Sequence, residues 1–340
     1  MAVNDKKVFL YVGKKGEEGG STYPTYTDAQ IKAFNADEFV LTGSNYYHCL
    51  KSKAAMDQYI ADLLKLAKQV IRCTGKFIWL GIPRPPKPTK TITLEEYKGY
   101  ANRYLAEFIV PVRDELKKLK TSSGDDYYYV YVQGFYMNDE HVSRSDLPFG
   151  VDFSYSNLLS HPQIKMYSMI SDALKTSAYG WKKLLWVPYA GRGGNFHTTY
   201  ADIAYIANTT DIFDTVLLQP GVYFHYDPNK KETLPIALNL DVIRNSMNRQ
   251  EVRTRDASGN TDKQVVAKRS STKIGCQMEI DEQKFVNKLR LDNYNLSFNA
   301  LNSIKVTKPS NRHFSFYWGD DTTAMERLTK EEINYFFNQL

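Results

Sequence analysis

Two glutamates stand out by where they fall. The first, Glu140, follows the run Tyr128-Tyr129-Val130-Tyr131-Val132-Gln133-Gly134-Phe135-Tyr136 and the residues Met137-Asn138-Asp139. The second, Glu279, closes the run Lys273-Ile274-Gly275-Cys276-Gln277-Met278. Both runs read as buried strands, so each acid is expected at or just past a strand end. Two carboxyl groups facing one pocket are what glycosidic-bond cleavage needs. One protonates the leaving oxygen; the other attacks the sugar or activates a water. Glu140 is expected as general acid/base and Glu279 as nucleophile. A separation of roughly 5–5.5 Å predicts retention of configuration, and roughly 6.5–9.5 Å predicts inversion.

Strand periodicity sharpens the case for Glu279. Alternate residues share a face, so Gly275, Gln277, Glu279 and Asp281 point one way. Gln, Glu and Asp on one face of a core strand are costly unless they meet solvent, a ligand or polar partners. The plainer readings are a structural ion pair for Glu279 and a loop cap for Glu140.

Positioning two such acids calls for a fold whose strand ends converge. Eight short apolar runs are expected as strands, at about 8–13, 39–44, 77–83, 128–136, 184–189, 215–219, 273–280 and 313–318. Helical patterns lie between them, at 53–71, 93–119, 162–176, 199–207 and 282–301, with another at 330–340. Thr93 and Glu96 have capping-box spacing. Near-continuous apolar strands alternating with helices predict a parallel α/β fold. The count of eight favours a single (β/α)8 TIM barrel over residues 1–340, with Glu140 and Glu279 on the fourth and seventh strands. A loop insertion near 141–160 and a polar excursion near 253–272 interrupt the rhythm without the composition of a separate domain.

The remaining strand ends are rich in groups that stack on sugar rings or bind hydroxyls. The candidate substrate-binding residues are Tyr46, Tyr47, Arg84, Tyr136, Asn138, Tyr189, Gln219, Tyr223, Gln277 and Trp318. Asn138 and Asp139 are also placed to orient the acid. Any single end is equally well explained by packing; several of this kind at one end of a barrel point to a shared cleft.

Composition narrows the alternatives. The 340 residues are 42% hydrophobic and 24% charged, as in a globular domain with a large core, and the 25 tyrosines exceed what a core needs. The net charge of +6 is spread thinly, so no nucleic-acid partner is expected. No apolar run is long enough to span a membrane. The opening residues lead straight into a strand. That fits a cytoplasmic protein, or a secreted or periplasmic one whose export signal is missing. Cys49, Cys73 and Cys276 lack metal or redox spacing. Buried packing is expected for them, with a reactive thiol at Cys49 or Cys276 as the sharper alternative. The six histidines have no metal-ligand spacing, so neither metal nor cofactor is expected. Gly191-Arg192-Gly193-Gly194 lacks the Lys-Ser/Thr of a phosphate loop.

Three stretches resemble the bacterial domain-of-unknown-function 4855 family, whose members are similar to glycoside-hydrolase barrels. Gly134-Phe135-Tyr136 with Glu140 resembles its Gly-Phe-Tyr-Trp…Glu segment. Leu185-Trp186-Val187-Pro188-Tyr189, then Phe213-Asp214 and Leu218-Gln219-Pro220, resembles its Trp-Ile-Pro-Tyr and Phe-Asp…Gln-Pro segments. Gly275 through Asp281 resembles its Gly-x-Glu-x-Glu-x-Asp strand. The resemblance implies a barrel and a carbohydrate substrate or ligand. Met137 stands where the family has Trp, and Gln277 where it has the first Glu. The sequence thus predicts a glycoside hydrolase acting on a polysaccharide or oligosaccharide. The alternatives are a carbohydrate-binding barrel without turnover and a structural protein on the same scaffold.

Overall fold

The apolar runs become short parallel strands in the computed structural model, which describes residues 6–13, 25–34, 36–43, 49–86, 92–140, 161–189, 196–248, 252–254, 263–265, 270–302 and 314–317. Strands β1 (Lys6–Tyr11), β2 (Glu38–Thr42), β3 (Phe77–Ile82), β4 (Val132–Met137), β5 (Lys183–Trp186) and β6 (Thr215–Leu218) are followed by a two-stranded excursion, β7 (Val252–Thr254) and β8 (Lys263–Val265). Then come β9 (Lys273–Glu279) and β10 (Phe314–Tyr317). Eight of them close into a barrel in the order β1-β10-β9-β6-β5-β4-β3-β2. β7 and β8 pair antiparallel, Val252 opposite Val265. The chain divides into two compact units, one of Val8–Asp139 with Leu159–Trp186, the other of Met1–Lys7, Glu140–Leu158 and Val187–Leu340.

In the first of these units the helices follow from their caps and faces. Lys53–Thr74 starts at Ser52, whose hydroxyl accepts from Ala55 N, and ends at Gly75, with φ 64°. It buries Met56, Tyr59, Leu63, Ala67 and Val70, an i, i+3, i+4 stripe. The predicted capping box forms: Glu96 N donates to Thr93 Oγ1 at 3.2 Å, and Thr93 N to Glu96 Oε2 at 2.8 Å. The helix it opens runs on to Lys117 through a π turn at Tyr104–Ile109. Pro111 explains the turn. It has no N–H for the carbonyl four residues back, and its ring crowds that carbonyl, so the backbone widens just before it.

The fourth apolar run departs from expectation. Its first half, Tyr127–Tyr131, is a helical turn and not strand. Its aromatic composition favours a strand, but tertiary contacts override it. Tyr128 is buried and its hydroxyl donates to Tyr179 O at 2.7 Å. The Lys182 ammonium donates to Tyr128 O at 3.0 Å and Val132 O at 2.6 Å, satisfying carbonyls the turn leaves open. Burial pulls that ammonium down to about 8.

Gly134 permits the close approach of β4 to β5. A Cβ there would overlap Lys183 O and lie 2.8 Å from Trp79 Cζ3. Gly134→Ala is therefore expected to cost at least about 3 kcal/mol, because backbone on one side and a buried indole on the other cannot both give way. A urea-denaturation midpoint within error of wild type would contradict this.

In the other unit, β9 lies between β6 and β10, with Leu218 beside Cys276 and Tyr317 beside Glu279. Its register is set at the start. Thr272 donates to Phe213 O at 2.8 Å and to Thr210 O at 2.9 Å, and Lys273 N donates to Asp214 O at 2.9 Å. A slip of one residue would turn Glu279 to the opposite face.

Candidate active site

Glu279 is the last residue of β9 and is 2% exposed. Backbone N–H groups of Gly221 and Tyr223 hydrogen-bond its carboxyl, while Oε2 has no hydrogen-bond partner. Gly221 takes a left-handed conformation, φ 68°, that presents this segment to the acid. Burial pushes the Glu279 carboxyl up from its ordinary 4.5 to about 8. The two backbone bonds and the Arg290 charge oppose the rise, and the charge of Glu140 adds to it. The Glu279 carboxyl therefore feels the charge of Glu140, which adds to the effect of burial.

The segment beneath Glu279 is held from several sides. Tyr223 is buried, and its hydroxyl donates to Asp281 Oδ1 at 2.6 Å. Arg290 Nη1 donates to Tyr223 O at 2.5 Å, its guanidinium 5.4 Å from the Tyr223 ring centre and 5.2 Å from that of Phe224. Asn293 donates to Val222 O at 3.0 Å and Tyr226 O at 2.7 Å. Glu140 is half-buried three residues beyond β4, and its carbonyl accepts from Tyr189 N at 2.8 Å. The Tyr189 hydroxyl meets His225 Nε2 at 2.6 Å. Gln219 donates to Val187 O at 3.0 Å. Gln277 is buried one layer below Glu279, in register with Ser315.

The unit that contains β4 holds the residues leading to Glu140. Arg84 Nε donates to Asn138 O at 2.7 Å, and Asn138 Nδ2 donates to Gly43 O at 2.7 Å. The side-chain amide of Asn138 is thus tied to the backbone. Asp139, expected to orient a substrate or the acid, accepts instead from Gln163 Nε2 at 2.8 Å and the Tyr167 hydroxyl at 2.9 Å. Its own carbonyl accepts from Trp186 Nε1 at 3.0 Å. Tyr136 is buried, its ring edge-on to Phe9 at 5.3 Å. Tyr46, Tyr47 and Trp318 lie outside the described residues.

Three residues here were not singled out from sequence. Gly221 is one; the others are Arg290, on the helix after β9, and His225, in the turn after β6. The signal for Arg290 was only a cation early in a predicted helix. Arg290→Leu is expected to raise the Glu279 pKa further, by about one pH unit, because an opposing positive charge is lost. A 13C-carboxyl NMR titration reads the shift; an unchanged midpoint would show that Arg290 only braces the loop. Cys49 and Cys276 are buried, and burial lifts the Cys49 thiol to about 12 and the Cys276 thiol well above its ordinary value, which removes the reactive-thiol reading. Among the described residues no three His, Cys, Asp or Glu side chains cluster as metal ligands, and no helix is long and apolar enough to cross a membrane.

The chain has the fold of glycoside-hydrolase (β/α)8 barrels. A family 5 lichenase from Caldicellulosiruptor sp. F32 matches 99% of this chain and 93% of its own, with TM-score 0.55 at 9% identity. A glutamate-to-glutamine mutant of that lichenase, in complex with cellotetraose, matches with TM-score 0.54. A broad-specificity GH5-4 endoglucanase from an uncultured bacterium matches 98% of this chain and 94% of its own, with TM-score 0.51 at 10% identity. At such identities the likeness is one of fold. No protein-family model matches the chain, and no curated protein matches it in sequence.

Proposed function

We propose that this protein hydrolyses a glycosidic bond with Glu140 and Glu279 as its carboxyl pair. The observation that carries the reading is Glu279: a buried carboxyl at a strand end, one oxygen unpartnered, its proton held partly by the charge of Glu140. In the one-proton state of the pair, the proton passes to Glu140 as substrate binds. Glu140 then donates it to the glycosidic oxygen while the Glu279 carboxylate bonds the anomeric carbon. Water, deprotonated by Glu140, cleaves the glycosyl ester and restores both acids. Tyr189, Gln219 and Tyr223 line the same unit's side of the substrate path. No metal or cofactor enters these steps. The sequence motifs support membership of the domain-of-unknown-function 4855 family and a single barrel domain over the whole chain.

The test is release of reducing ends from mixed-linkage β-glucan and cellotetraose, then from a wider glycan panel, with Glu140→Gln as control. Turnover that Glu140→Gln abolishes is the expected result. Binding without turnover across the panel would establish the non-catalytic barrel, a reading favoured by Gln277 where the resembled family carries Glu.

A further inference from the structure

At the start of β3, β4 and β5 three aromatic side chains stand in solvent. Phe77 opens β3 and is 43% exposed, Tyr129 precedes β4 and is 49% exposed, and Trp181 precedes β5 and is 71% exposed. They are the exposed large hydrophobic side chains of this compact unit among its described residues, and none is aliphatic. Exposed aromatic rings at the starts of three neighbouring strands offer flat faces on which a ligand can stack.

Trp181 is also strained. At φ 56° it is the non-glycine residue with positive φ among the described residues, a conformation costly for a bulky side chain. The turn that carries it is pinned. Arg113 Nη1 donates to Ala178 O at 2.8 Å, Tyr128 to Tyr179 O at 2.7 Å, and Trp181 N to Thr176 O at 3.1 Å. The Tyr129 ring lies against Gly180, where a Cβ would come within 2.8 Å of Tyr129 Cε1. Two flat rings are thus presented on a rigid support.

The charge around them is positive. Lys117 Nζ lies 4.9 Å from the Tyr129 ring centre. The buried Lys182 ammonium lies 5.8 Å from it, and Lys183, two residues after Trp181, is exposed, its ammonium 3.5 Å from Gln133 Oε1. The nearby acids are already paired: Asp114 with Arg113, Glu115 with Lys118, and Asp126 with Lys120. Lys117, Lys182 and Lys183 make no ion pair among the described residues.

We propose that Phe77, Tyr129 and Trp181, with Lys117 and Lys183, form a binding platform for an acidic polysaccharide that uses none of the side chains of the proposed carboxyl pair. Sugar C–H faces stack on the rings, and uronate carboxylates meet the two lysines, with Lys182 adding positive charge from below. An acidic peptide would meet the same lysines but gains less from flat rings that suit sugar C–H faces, and polyglutamate serves as its probe. The platform does not depend on hydrolysis, so its failure and that of the proposed reaction are separate results.

The test uses the full chain carrying Glu279→Gln, so that turnover cannot interfere. Binding of polygalacturonate, neutral β-glucan and polyglutamate is measured by affinity electrophoresis and by tryptophan fluorescence. Polygalacturonate is expected to bind, more weakly as salt rises. Trp181→Gly and Tyr129→Ala should each weaken it about tenfold, the loss of one stacking contact. Trp181→Gly should also raise the melting temperature slightly by relieving the left-handed strain, which separates lost binding from lost folding. The proposal is overturned if neither variant changes polygalacturonate binding. It is equally overturned if polyglutamate or neutral glucan binds as tightly with the same dependence on Trp181.

Discussion

Glu279→Gln is expected to lower glycan turnover by roughly 10³-fold or more, within the range that a positioned acid, base or nucleophile supplies. The amide has the size and shape of the carboxyl, and its oxygen still accepts the Gly221 and Tyr223 N–H bonds. It neither attacks an anomeric carbon nor exchanges a proton with Glu140. Substrate affinity should change much less than turnover, because the hydroxyl-binding and stacking groups are untouched. Small nucleophiles discriminate further. Azide added to Glu279→Ala, which leaves room for it, should yield a glycosyl azide of inverted configuration if Glu279 attacks the sugar directly, whereas a product of retained configuration would make Glu279 the acid/base. Turnover within tenfold of wild type in Glu279→Gln would remove this acid from the mechanism.

Conformational stability is expected to fall as pH rises from about 5 to 8, by on the order of 4 kcal/mol from Glu279 alone. The sign follows from its proton. The folded carboxyl titrates near 8 and the unfolded one near 4.5, so between these values the native state binds more protons than the unfolded state. The contribution is complete below the unfolded value and is lost as pH climbs through the folded one. Lys182 acts with the opposite sign, and above this window: its folded value is near 8 against 10.5 unfolded, so it makes stability rise from pH 8 upward. Urea midpoints at pH 5.5 and 8 therefore isolate the glutamate. In Glu279→Gln the slope over this interval should largely vanish, and the variant should exceed wild type in stability at pH 8. Parallel slopes in the two proteins would mean that Glu279 is ionised and solvated throughout.

The two candidate acids were singled out in the sequence for different reasons. Glu279 was marked by the two-residue period of β9, which places it on one face with Gln277. Glu140 was marked by its position after an apolar run, although only the second half of that run is strand. The first half, Tyr127–Tyr131, is helical because Lys182 and Tyr179, both distant in sequence, bind its carbonyl and hydroxyl groups. Similarly, nothing near Asp139 reveals that Gln163 and Tyr167 occupy its carboxylate.

By itself the sequence determined the number and approximate bounds of the barrel strands and the cap at Thr93, and it singled out the two candidate acids. Those features depend on periodicity and on neighbours a few residues away, and both are local. Tertiary structure alone decided that burial raises the Glu279 carboxyl, that Arg290 opposes the rise, and that Trp181 and Tyr129 face water on a fixed turn. Each is a sum over burial, charge and hydrogen bonds from distant parts of the chain, and only folding brings those parts together.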